Sequence, residues 1–152
     1  MLKPSWIFVA ASLIAVVGIV FCFKKFMNDI QRKMDNKTPI RAEAMQKENS
    51  RFFISVAIVE IIPVILIVIG FLMIDSLSEA LSGTEAALPL LIIAAIFLFG
   101  VINMVLTNKE TLTVGTGQNE EKQAITTFTF IGIALTSSIP IVSVIATFMM
   151  TA

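Results

Sequence analysis

The sequence predicts an all-α membrane protein, four transmembrane helices laid out as two tandem helical hairpins. Three observations carry this prediction. Hydrophobic residues make up 57% of the 152 residues and charged residues 14%, with a mean hydropathy of +0.92, which is the composition of a bilayer protein rather than a soluble domain. Apolar runs at about 6–23, 52–74, 88–106 and 124–150 are each long enough, at about 1.5 Å per residue, to cross roughly 30 Å of hydrocarbon. The charges gather between these runs. The layout is a first hairpin at 1–75 with loop 24–51, an outer linker at 75–87, and a second hairpin at 88–152 with loop 107–123.

The first run has Lys3 and Pro4 ahead of it and Lys24 and Lys25 behind. It is longer than the apolar core of a signal peptide and lacks a cleavage site followed by a polar mature start, so it is expected to remain as a helix with Trp6 near one interface. Ala11, Ala15 and Gly18 fall at helical spacing and suit close helix packing. Cys22, the only cysteine, supports neither a disulfide framework nor a metal site and is expected to be an ordinary helix residue.

Loop 24–51 holds Lys24, Lys25, Arg32, Lys33, Lys37, Arg41, Lys47 and Arg51, eight of the eleven basic residues. The positive-inside bias places it in the cytoplasm and the N-terminus outside. Pro39 is expected to separate two helical extensions, FMNDIQRKM and AEAMQKENS. Asp29, Asp35, Glu43 and Glu48 are interspersed, which favours a solvated loop over a lipid-headgroup patch.

The second run carries the most costly residue of the chain. Apart from Ser55, Glu60, Pro63 and Gly70, every residue of 52–74 is strongly apolar, and Glu60 stands near mid-depth. An ionised acid there costs about 2.5–3.5 kcal/mol on insertion scales, and such residues mark ion or proton paths. A carboxyl in hydrocarbon is neutral, whereas one facing water or a cation ionises; that alternation is what a proton carrier needs. Pro63 cannot donate to the Val59 carbonyl and so frees an acceptor beside the acid. A carboxyl that stays neutral and serves packing alone is the competing reading.

Linker 75–87 carries three acids and no Lys or Arg, as suits an outer face. Loop 107–123, with Lys109, Lys122, Glu110, Glu120 and Glu121, returns to the cytoplasm, and its Gly115-Thr116-Gly117 is a turn without the Lys of a phosphate-binding loop. The C-terminus is then outside. The halves also look like copies at a spacing of 77 residues: Phe53-Ile54, Ala57, Pro63 and Phe71 recur as Phe130-Ile131, Ala134, Pro140 and Phe148. Ser137 stands where Glu60 would be. Thr136, Ser137 and Ser138 either hydrogen-bond across to a neighbouring helix, Glu60 included, or bond their own backbone.

Phe53-Ile54-Ser55-Val56-Ala57 followed by Val59-Glu60-Ile61-Ile62-Pro63-Val64 resembles the acid-bearing helix of the proteolipid subunit c of rotary ATP synthases. There the pattern is roughly F-I-G-x-A-L-V-E-A-L-P-I. Phe130-Ile131-Gly132-Ile133-Ala134-Leu135 with Ile139-Pro140-Ile141 is similar to the same pattern, and two copies resemble the duplicated, double-hairpin proteolipids. The resemblance implies an integral subunit in which Glu60 binds and releases protons, supported by Val59, Pro63, Thr136, Ser137 and Ser138. It also implies a homo-oligomer or other membrane subunits as partners, one of them supplying a cation to Glu60. Three departures stand against it: the loop keeps Arg41-Ala42-Glu43 but not the Gln-Pro of the family, the first and third runs lack its repeated-glycine pattern, and the surviving acid is in the second helix rather than the last.

Ile61 and Ile65 offer no side-chain oxygen and Ser55 is more than a turn from Glu60, so a proton is favoured over sodium; Asn103 fits an interfacial or packing role. Histidine is absent, and no nucleophile and base pair, metal cluster, cofactor site or nucleic-acid patch is expected. The alternatives to a proton-binding proteolipid of the cell membrane are a non-rotary interaction or assembly protein of the same fold and a small secondary transporter.

Overall fold

The computed structural model describes residues 3–36, 42–74, 80–114 and 119–151. They form α1 (Pro4–Asp35), α2 (Ala42–Ile74), α3 (Gly83–Val114) and α4 (Asn119–Met149), with no strand among the described residues. All four are long and apolar enough to cross a membrane, and the chain is an all-α, multi-pass membrane protein. Helices of 31 to 33 residues are about 50 Å long. Their apolar centres fill the hydrocarbon and their polar ends extend beyond it.

The helices are longer than the apolar runs. α3 begins at Gly83 rather than 88 because Ser82 and Glu85 cap each other. The Ser82 N–H donates to Glu85 Oε2 at 3.2 Å, while the Glu85 N–H approaches Ser82 Oγ at 3.4 Å. This reciprocal box satisfies donors that a helix start leaves open. Ser82→Ala is expected to cost about 1 kcal/mol and to speed hydrogen exchange at the first amides of α3 without altering α1.

Loop 107–123 is likewise helical up to Val114 and again from Asn119. Thr107 and Thr111 donate to the carbonyls of Asn103 and Thr107 at 2.9 and 2.8 Å, and Gln31 of α1 donates to Thr111 Oγ1 at 2.8 Å. Contact with α1 thus extends α3 through threonines that helix propensity alone disfavours. Loop 24–51 is helix on both sides of residues 37–41; Pro39, Arg41 and Gly115-Thr116-Gly117 lie outside the described residues.

α1 packs against all three other helices, α3 and α4 pack on each other, and α2 covers α1 while meeting α4 only at an edge. Accordingly 56% of the most apolar stretch of α1 is buried, against 22% in α2 and in α3. Phe8, Ala11, Ala15, Val16, Ile19 and Phe23 are fully buried, so the small-residue stripe does lie in helix contacts. Gly18 receives the Val59 side chain of α2. Ile54, Ile58, Ile61, Ile65 and Leu72 of α2 face outward, as a lipid-facing surface requires.

An ion pair between helices closes each end. At one end Lys3 pairs with Glu85, and the Leu81 N–H donates to the Met150 carbonyl at 2.8 Å. Both hairpins therefore have their open ends together. At the other end Lys33 of α1 holds Glu48 of α2 at 2.8 Å.

Candidate functional site

Glu60 lies within the continuous α2, eight residues or about 12 Å from Phe52. Its neighbour Val59 packs into Gly18 of α1. One residue further on is a rotation of about 100°, which turns Glu60 from α1 toward the crevice with α4. The residue is half-buried. Oε1 is buried without a hydrogen-bond partner, and the Ser138 side chain of α4 stands beside the carboxyl.

The hydroxyl cluster divides. Ser138 Oγ donates to the Leu135 carbonyl at 2.7 Å, and Ser137 Oγ donates to the Ile133 carbonyl at 2.6 Å. Thr136 is fully buried, with Oγ1 3.5 Å from Met104 Sδ of α3. Of the three, Ser138 is the one found beside Glu60. Pro63 is fully buried, and α2 continues through it.

The stretch around Ser137 has a related layout. Thr136, which precedes Ser137, has its methyl group 2.8 Å from the Cβ position of Gly100 on α3, as Val59 fits against Gly18 on α1. α4 starts at Asn119, 77 residues after the Ala42 that opens α2. Surroundings differ between the two halves all the same: Phe71 is half-buried and makes an edge contact with Phe8 at 5.6 Å, whereas Phe148 is exposed.

Asn103 lies away from the acid. It accepts from Lys24 at 3.0 Å and donates to the Phe99 carbonyl at 2.9 Å. Ser12 and Ser143, which the sequence did not single out, form a buried 2.9 Å hydrogen bond between α1 and α4. A hydroxyl isolated in an apolar run was the only signal of each. No group of three or more potential metal ligands occurs among the described residues. No family model, curated protein or solved structure matches the chain.

Proposed function

We propose that the chain is a proton-binding membrane proteolipid, similar to the duplicated subunit c of rotary ATPases, in which Glu60 takes up and releases the proton. The observation that carries this is the carboxyl beside Ser138. A serine hydroxyl has one proton and rotates: with it on the Leu135 carbonyl at 2.7 Å, Ser138 accepts from a neutral Glu60, and turned the other way it donates to the carboxylate. A neutral Glu60 can donate to that oxygen and remain in apolar surroundings, whereas an ionised one loses hydration there and is drawn toward water or a partner's cation. The two states therefore prefer different surroundings, as proton carriage requires. The Lys- and Arg-rich ends of the α1–α2 pair lie in the cytoplasm by the positive-inside bias, with both termini outside the cell membrane.

Continuous helices support this reading over a transporter, whose midplane sites are typically built on unwound segments. One observation favours an interaction or assembly protein instead. α1, the helix that would line a rotor, is already enclosed by three helices of its own chain.

Carbodiimide labelling of the purified protein across pH, with and without sodium, tests the proposal, because these reagents attack neutral carboxyls in apolar surroundings. Single labelling at Glu60 that fades at high pH, ignores sodium and is absent in Glu60→Gln is the expected result. Labelling spread over exterior acids, with Glu60 untouched, would refute proton carriage and leave the assembly role.

A further inference from the structure

A cleft of about 550 Å³ opens between α1 and α2, at the end where the apolar runs give way to charge. Its volume is that of a small-molecule site. The walls come from Phe21, Ile54 and Ile58, and the mouth from Lys25, Asp29, Glu48 and Arg51. From Arg51 to Val59 the cleft runs about 12 Å along α2, close to the half-thickness of the hydrocarbon. It therefore joins headgroup level to the interior of one leaflet.

The charges at the mouth are not all free. Glu48 is held by Lys33 at 2.8 Å, and Arg51 lies at a looser 3.7 Å from it with its side chain 67% exposed. Lys25 has no ion pair among the described residues. With Glu48 neutralised by Lys33, Lys25 and Arg51 outweigh Asp29, and the mouth is positive. Basic pockets between helices at this depth suit phosphate headgroups, and both cations end long, exposed side chains at the mouth.

We propose that this cleft binds one glycerophospholipid, its phosphate between Lys25 and Arg51 and one acyl chain along Phe21, Ile54 and Ile58. The bound lipid fills a gap that α1 and α2 leave open and so fixes their spacing. The site is independent of proton binding at Glu60, which faces α4.

Cys22 lines the cleft and is the only cysteine, which gives a built-in reporter. In the full-length protein in mild detergent, native mass spectrometry with added phosphatidylglycerol should find one tightly retained lipid per chain, and its binding should slow maleimide reaction at Cys22. Diacylglycerol should bind at least about tenfold more weakly, as should phosphatidylglycerol to a Lys25→Gln/Arg51→Gln variant, because each charge-assisted phosphate contact is lost. Inorganic phosphate should neither bind detectably nor protect Cys22. Ile58→Trp keeps both cations but fills the cleft, and should abolish retention and protection together. Equal retention of diacylglycerol, unchanged binding in the double variant, or protection of Cys22 by self-association without lipid would each overturn the proposal. Both Lys25 and Arg51 are exposed, so the double variant should retain the helical circular dichroism of the parent.

Discussion

Phe23→Ala is expected to destabilise the protein by about 3 kcal/mol, toward the lower end of the range for burying and then deleting a phenyl ring. Phe23 is fully buried on α1 and makes an edge contact with Phe52 of α2 at 6.5 Å. Its ring also lies 3.0 Å from the Cβ position of Gly132 on α4, where Met104 Sδ of α3 approaches as well. One side chain therefore ties α1 to α2 and α4, in the same core cluster as Met104 of α3. The lower end of the range applies because lipid tails are as apolar as the core, so little transfer energy is lost. The cavity and the missing dispersion contacts remain. Detergent-denaturant unfolding followed by circular dichroism measures it, with Val17→Ala as control. Val17 is 49% exposed on the same helix, and its truncation should change stability by less than about 0.5 kcal/mol. Similar losses for the two variants would contradict the central position of α1.

Gly100→Ala should cost about 1–3 kcal/mol although it adds a single methyl group. A Cβ at Gly100 would lie 2.7 Å from Val16 Cγ1 and 2.8 Å from Thr136 Cγ2. Both neighbours are fully buried and β-branched, so neither has a free rotamer into which to retreat. Ala is otherwise the better helix former by about 1 kcal/mol; a net loss means the clash outweighs that gain. Val16→Ala removes one of the two opposing methyl groups. Combined with Gly100→Ala it should cost less than the sum of the single changes, and strict additivity in the double-mutant cycle would exclude the steric explanation.

These two positions also mark what could be read in advance. Glu60 was legible because one acid in an apolar run as long as 52–74 has no cheap explanation. The pairing of Glu60 with Ser138 rather than Ser137 was not legible. It depends on how α4 is rotated against α2, and three consecutive hydroxyls point around most of a helix circumference. Gly100 gave no sequence signal either, being an isolated glycine in an apolar run. The helix extension through Thr107 and Thr111 was missed because it rests on a contact from Gln31, 80 residues away.

The sequence by itself determined the four helices long and apolar enough to cross a membrane and the single acid inside the second of them. Those follow from hydrocarbon thickness and from the cost of charge in lipid, which act on a segment alone. Only the tertiary structure decided that α1 is the central helix, that Glu60 turns toward α4, and that the α1–α2 seam carries a cleft beneath Lys25 and Arg51. Lipid exerts no hydrophobic force that distinguishes one apolar helix face from another, so side-chain fit at Gly18, Gly100 and Gly132 sets which faces meet.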